Sequence, residues 1–396
     1  MKFQHAALAV PLLWSSPFVR WQGRLADVSS LDLAAAVTND ALAERKLDRG
    51  AIDRIVLGMT IPQPHAFYGA PWMASRLGLT DVSGPLVAQA CATSVACIVA
   101  AAAEVEADVQ AMPLVVTTDR TSNGPLLVYP RSHGMGGSPA TEHWVLDSFA
   151  ADPNTGKAMV ATAESVARDG EMSRAALDAL TLLRWQQYGA ALADDRRFQR
   201  RYLQPVVLPR GKGEPLRVDA DEGVHPYTAE GLAALRPVQE GGVVTFGSQT
   251  HPADGCAGAV LAGPDRARAL AGGDGVVRLL AAAFSRVGKA EMPKAATTAA
   301  LAALHDAEVA FDDVRFVASH NPFAVNDLWF AQQTGFPLER MNPYGCSLIY
   351  GHPQGPTGLR GIVELVHALR ETGGGIGVFT GCAAGDTGAA LVLRVD

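Results

Sequence analysis

A chain of 396 residues, with 48% hydrophobic and 18% charged residues, has the composition of a folded enzyme of two or three domains around a large buried core. Its net charge of −7 offers no basic excess to neutralise phosphates, which excludes nucleic acid as the main partner and leaves room only for a small basic patch toward a phosphorylated small molecule. The five cysteines, Cys91, Cys97, Cys256, Cys346 and Cys382, are odd in number, scattered and not at zinc-site spacing, so they read as reduced thiols of a cytoplasmic protein with no metal.

The first apolar run, 6–14, follows Lys2 and weakly imitates a secretion signal. It is short, contains Pro11 and has no small-residue cleavage site, so it reads as a first buried strand. No apolar run reaches the ~18 residues of a membrane helix, and no membrane partner is expected. Residues 31–47 predict a helix with Ser30 as cap and Asp32 in its first turn. Strands are predicted over 52–58, 82–90 and 114–118. Between the last two lies a helix over 92–109, apolar nearly all round and therefore buried.

The character changes over about 121–240. Turn residues, a loop over 132–138, isolated helices over 158–167 and 173–193, and the Arg196-Arg197 to Arg200-Arg201 charge run read as an insertion into a more compact core. The charge run is a solvated face or an anion patch. After it the first pattern returns, with strands over 243–246, 258–261, 275–283 and 315–318 and helices over 292–305 and 323–334. A glycine loop, a helix over 358–371 and strands over 377–380 and 389–394 close the chain. Both halves alternate strands with helices, which predicts an internal duplication of two mixed sheets covered by helices.

Four residues stand out for chemistry. Cys91 lies at a strand-to-helix junction, where free N–H groups and the helix dipole stabilise a thiolate and the oxygen of a reacting thioester. The competing reading is a packed structural cysteine, which is how Cys97 reads. His352 lies in a loop rich in glycine and proline, of the kind that brings backbone close to a ligand, or is a plain surface histidine. His320 follows an apolar strand and precedes a helix, a place for active-site groups or for a structural hydrogen bond at the helix start. Cys382 has Gly381, Gly385 and Gly388 nearby and little bulk around it, which is unusual for packing alone.

Taken together these stretches resemble the thiolase family along almost the whole chain. Ser16-Pro17-Phe18-Val19-Arg20 is similar to an early family motif, and Cys91 falls at the acylated nucleophile. The stretch 159–165, Asp219-Ala220-Asp221-Glu222 and Leu235-Arg236-Pro237 resemble later markers. Asn342-Pro343-Tyr344-Gly345 and Gly351-His352-Pro353-Gln354-Gly355-Pro356-Thr357-Gly358 resemble the histidine signature, and Cys382-Ala383-Ala384-Gly385-Asp386 the second cysteine motif. The chain departs at His320-Asn321-Pro322-Phe323, where most thiolases carry Asn-Glu-Ala-Phe. This is nearer the His-Asp-Cys-Phe of the sterol-carrier-protein type. Cys346 stands at a motif glycine, Ala158 where many short-chain members have histidine, and Thr250 where serine often meets pantetheine.

The resemblance implies an α/β thiolase fold of two duplicated mixed-sheet βαβ halves in five layers. The N-terminal domain would cover 1–265, with an inserted loop domain about 121–240, and the C-terminal domain 270–396. It implies reversible CoA-dependent cleavage of a 3-ketoacyl-CoA, or the reverse Claisen condensation, through acyl-Cys91. His352 would be the base and Cys382 the proton carrier. His320 and His352 would form one oxyanion site, and the N–H groups of Cys91 and Ala384 the other. Met159, Thr250 and Phe323 would contact substrate. CoA enters as a substrate, with no tightly bound cofactor. The partners are acyl-CoA and CoA, a homodimer or homotetramer is expected, and a small accessory subunit is allowed. A decarboxylating condensing enzyme or a subunit paired with a small protein is the alternative.

Overall fold

The computed structural model describes residues 1–131, 136–211 and 213–396. The first four residues of the expected 132–138 loop fall outside them. The apolar N-terminal run forms β1 (Ala7–Ser15), buried at eight of nine positions, and therefore packs as core. There follow β2 (Val19–Arg20), β3 (Arg54–Gly58), β4 (Leu86–Val87) and β5 (Pro113–Arg120). The insertion carries two hairpins, β6 (Leu126–Tyr129) with β7 (Ala140–His143) and β8 (Val206–Leu208) with β9 (Leu216–Val218). Then come β10 (Ala253–Ala262), β11 (Val276–Arg286), β12 (Val314–His320), β13 (Gly375–Ala383) and β14 (Thr387–Val395).

The main sheet runs β12-β13-β14-β11-β1-β10-β5-β3-β4, with β2 on β10. Each half is mixed: β5, β3 and β4 pair in parallel, as do β12 and β13, while the other ladders are antiparallel. The expected two sheets are linked through one ladder between β1 and β11. Ala7, Leu8 and Ala9 of β1 pair antiparallel with Arg278, Val277 and Val276 of β11. The reason is satisfaction: the buried start of β1 would otherwise leave backbone donors and acceptors without water or partner.

The helices Thr93–Ala107 and Thr357–Glu371 touch each other and strands of both halves, so they form the middle layer. Ser30–Glu44 covers β5 and β10 from outside, and Met292–Ala307 covers β11, β13 and β14. The order is thus helix, sheet, helix, sheet, helix. The middle position explains why Thr93–Ala107 is apolar nearly all round. The window Ala90–Ala107 has a mean hydropathy of 1.6, yet its helix has only 15 residues, about 22 Å against the ~30 Å of a bilayer core.

Two expected strands change. The 82–90 segment keeps only Leu86–Val87 on the sheet edge, because the chain then turns away to form the bend before Cys91. The 243–246 segment forms no strand. The Glu164 carboxylate accepts the N–H groups of Val243 (3.0 Å) and Val244 (2.8 Å), so a side chain takes the bonds a ladder would have used. The Arg196–Arg201 run is a solvated face whose charges are paired at the surface: Arg197 and Arg201 with Glu371, and Arg200 with Asp195.

The insertion is tied to the core by a buried cation. Arg360, in the middle-layer helix, donates to Asp221 of the insertion at 2.6 and 2.7 Å and to Glu364 at 3.0 Å. Both Arg360 and Asp221 have fully buried side chains. Arg360→Met would leave two carboxylates buried without a cation and is expected to cost about 3–5 kcal/mol, read from urea unfolding. An unchanged unfolding midpoint would show that this ion pair does not anchor the insertion.

Candidate active site

Cys91 sits at a strained bend. Ala90 immediately before it holds φ at 44°, a left-handed conformation rare for a residue with a Cβ. The Thr93 hydroxyl donates to the Ala90 carbonyl at 2.7 Å and accepts the Gln89 N–H at 2.8 Å, which holds the bend. The Thr93–Ala107 helix begins two residues later, so Cys91 lies just before its positive end.

The loop carrying His352 is pinned from both sides. Gly351 has φ at 95°, and a Cβ there would lie 2.6 Å from His251. The Thr357 hydroxyl opens the next helix and meets His352 Nδ1 at 2.6 Å. This leaves His352 Nε2 3.1 Å from Cys91 Sγ. Gln354 Oε1 is a second acceptor in reach of the thiol, at 3.2 Å.

His320, the last residue of β12, is 1% exposed, and its ring lies 4.1 Å from that of His352, centre to centre. Its Nδ1 meets the Ser347 hydroxyl at 2.9 Å, and its Nε2 is buried without a partner. It does not cap the following helix, Ala324–Thr334. There the Asn326 side chain accepts the Phe323 N–H and the Ser248 carbonyl accepts that of Ala324. Cys382, near the end of β13, accepts a hydrogen bond from the Asn326 amide at 3.2 Å.

Cys91, His352 and Cys382 meet at a cavity of about 290 Å³, with His320 buried behind His352 and not part of the lining. Cys91, His352, Cys382 and Ala384 line its reacting end, and Met159, Thr250 and Phe323 line its walls with Phe149, Met292 and Pro322. Thr250 spends its hydroxyl proton on the Ser347 carbonyl. Cys97, Cys256 and Cys346 are buried elsewhere in the core; Cys346 accepts from the Asn321 amide at 3.2 Å.

Burial sets the resting charge state. It pushes the Cys91 thiol up to about 12, against the pull of the Ala384 and Cys91 N–H groups. It pushes His352 well below its ordinary 6.5, helped by His320, which burial itself lowers to about 3. Burial and the neighbouring Cys91 raise Cys382, while the Asn326 amide opposes them. The site therefore rests as neutral thiols and neutral imidazoles, with His352 Nε2 already beside the Cys91 thiol as a proton acceptor.

Sequence reasoning passed over several residues that hold this geometry. Asp119, in β5, accepts from the Thr60 N–H and hydroxyl (both 2.8 Å), the Ile61 N–H (2.9 Å) and the Gly355 N–H (2.8 Å). It fastens the His352 loop to the floor under Cys91. Burial nevertheless raises its carboxyl to about 7. Its one sequence signal was a carboxylate ending an apolar strand. Ser347, Asn326 and Gln354 gave only position, since each acts on a residue distant in the chain or across a turn.

A family model for the N-terminal domain of thiolase matches residues 14–265, and one for the C-terminal domain of thiolase matches residues 275–395. This chain belongs to the thiolase family. Among its relatives are the acetyl-CoA acetyltransferase of Pseudomonas aeruginosa, 28% identical over 95% of this chain and 96% of that one. A 3-ketoacyl-CoA thiolase of Shewanella piezotolerans is 27% identical over 96% and 95%. In fold, this thiolase superposes on human mitochondrial 3-ketoacyl-CoA thiolase, solved in complex with CoA, with a TM-score of 0.89, 24% identity and coverage of 100% and 99%. The Bacillus anthracis acetyl-CoA acetyltransferase gives 0.89 at 22% identity, covering 100% of both chains.

Two measurements check this geometry. Because burial raises the Cys91 thiol to about 12, its alkylation by iodoacetamide should climb about tenfold per pH unit from about pH 7 to about pH 10. A plateau near the ordinary thiol value would show a solvated sulfur. Asp119→Asn replaces one acceptor oxygen with a donor facing other donors. It should cost about 2–3 kcal/mol of stability and slow Cys91 acylation, and wild-type values for both would remove Asp119 from its fastening role.

Proposed function

We propose that this chain catalyses reversible thiolysis of a 3-ketoacyl-CoA, giving acetyl-CoA and a shortened acyl-CoA, with the Claisen condensation as the reverse. The observation that carries the reading is Cys91 Sγ 3.1 Å from His352 Nε2, with Cys382 at the same cavity. His352 Nε2 takes the Cys91 proton while Nδ1–H donates to Thr357, as a base-activated nucleophile requires. The thiolate attacks the keto carbon, and the N–H groups of Cys91 and Ala384 receive the oxyanion. The C–C bond then breaks, its electron pair passing into the acetyl-CoA enolate.

The enolate oxygen lies toward His320 and His352. For His320 to donate there, its proton must be on Nε2. The Ser347 hydroxyl meets this need by donating its own proton to Nδ1. Cys382 protonates the enolate carbon, and its thiolate, steadied by the Asn326 amide, takes the proton of the incoming CoA thiol. The CoA thiolate attacks acyl-Cys91, and Cys91 regains its proton from His352. The Cys382 thiol argues against a decarboxylating condensing enzyme, which has no need of a second proton-carrying thiol. The apolar walls, with Phe149, Met159, Met292 and Phe323, suit the acyl and pantetheine chains.

The partners are acyl-CoA and CoA. Self-association into two or four copies is proposed with them: edge strand β4 exposes Leu86, and Phe67 and Tyr68 are exposed beyond it.

Intact mass after incubation with acetyl-CoA tests the nucleophile: Cys91→Ala should gain no acetyl group, and an acetylated mutant would move the nucleophile elsewhere. Cys382→Ser should still be acylated on Cys91 but should lose exchange of the acetyl-CoA methyl protons with deuterated water. Wild-type exchange would assign the proton transfer to another group. His320→Ala should slow both directions by about a hundredfold or more without preventing Cys91 alkylation, and His320→Asn should recover part of the loss. Unchanged turnover in the alanine variant would remove His320 from the oxyanion site.

A further inference from the structure

We propose that Cys91, His320 and His352 together form a site for a soft divalent cation of the zinc class, which blocks acyl transfer while it is bound. One thiol sulfur and two imidazole nitrogens lie within 4.8 Å of one another. Tetrahedral zinc, with bonds of about 2.3 Å to sulfur and about 2.0–2.1 Å to nitrogen, places such atoms about 3.3–3.6 Å apart. Cys91 Sγ and His352 Nε2 already stand at 3.1 Å, so closure is needed only toward His320, by about 1.5 Å at most.

Each imidazole has the outer partner that metal-bound histidine uses. The Thr357 hydroxyl lies at His352 Nδ1, and the Ser347 hydroxyl at His320 Nδ1. Ser347 also reaches Asn321 Oδ1 at 3.3 Å. If it donates there and accepts Nδ1–H, the lone pair of His320 Nε2 is free. That nitrogen is buried and unpartnered, an independent sign that the arrangement lacks one group. Gln354 Oε1, or a water from the cavity, can fill the fourth position. Charge also balances. The cation displaces the Cys91 proton to solvent, leaving thiolate, two neutral imidazoles and a net single positive charge, with the Asp119 carboxyl close behind Cys91.

Histidine at position 320 is what makes the set complete. An amide in its place would leave one sulfur and one imidazole, too few soft donors for a firm site. The site would make turnover sensitive to free zinc, because the metal occupies both the nucleophile and its base.

The test titrates the dialysed, reduced full-length protein with cobalt and then with zinc. One cobalt per chain should bind with a thiolate-to-cobalt charge-transfer band in the near ultraviolet, and zinc should displace it. The band should be absent in Cys91→Ser and weakened at least about tenfold in affinity in His320→Asn. Zinc should inhibit thiolysis reversibly, with EDTA restoring it. A wild-type protein that shows no band, or one whose band survives His320→Asn at equal affinity, overturns the proposal. Cobalt binding is read without turnover, so an inactive protein would count against the thiolase reading alone, and a missing band against the metal site alone.

Discussion

The arrangement depends on the buried Arg360 guanidinium. It is held bidentate by Asp221, bonded to Glu364, and stacked 3.7 Å over Tyr350 and 4.6 Å over Phe18. Tyr202 and Tyr350 donate to Glu364 at 2.7 and 2.8 Å, and Tyr188 donates to Asp221 at 2.9 Å. A charge this deep is tolerable only when every donor finds an acceptor. Meeting that demand draws together the insertion, the N-terminal segment around Phe18 and the middle-layer helix. Tyr350 stands two residues before His352 and Arg360 eight after it, so the same network clamps both ends of the histidine loop.

That clamp makes a desolvated site affordable. His352, His320 and Cys382 are withdrawn from water and Cys91 is half-buried at the cavity, which raises thiols, lowers imidazoles and keeps all four neutral at rest. Neutral groups cost little to bury, and charge appears only as the reaction creates it. In the proposed reaction the N–H groups of Cys91 and Ala384 and the two imidazoles would act in a low-dielectric setting, where each donor is worth about 2.7–4 kcal/mol. A solvated site would hold a more reactive resting thiolate but would lose this discrimination between ground state and transition state.

The two histidines, with rings 4.1 Å apart, are where the proposed chemistry and the proposed cation site meet. A hydroxyl partner at each Nδ1 can donate or accept, so the proton on the ring is set by a rotation rather than by a change of charge. With its proton on Nε2, His320 can donate to the enolate of the proposed reaction. With its proton on Nδ1, it presents a lone pair to a cation beside Cys91. The same buried nitrogen carries both readings because nothing else in the described structure occupies it.

Much was legible in the chain itself. The alternation of strands and helices, the all-round apolar Thr93–Ala107 helix and the glycine-rich surroundings of His352 and Cys382 are local properties, set by side-chain period and backbone freedom. The residue types of a thiol, imidazole and thiol site were visible for the same reason. Their meeting was not: Cys91 and His352 are separated by 261 residues and come within 3.1 Å only because the middle-layer helices pack against each other. Asp119, Ser347 and Asn326 drew no notice, since each acts through a hydrogen bond to a group that period and composition do not reveal. The 243–246 segment looked like a strand until Glu164 captured its N–H groups, and the ladder by which β1 and β11 link the two sheets gave no sign along the chain. Patterns along a chain report which face a residue prefers. Where each buried donor and acceptor finds its partner is settled only when distant segments are brought together, because that pairing is an accounting across the whole fold.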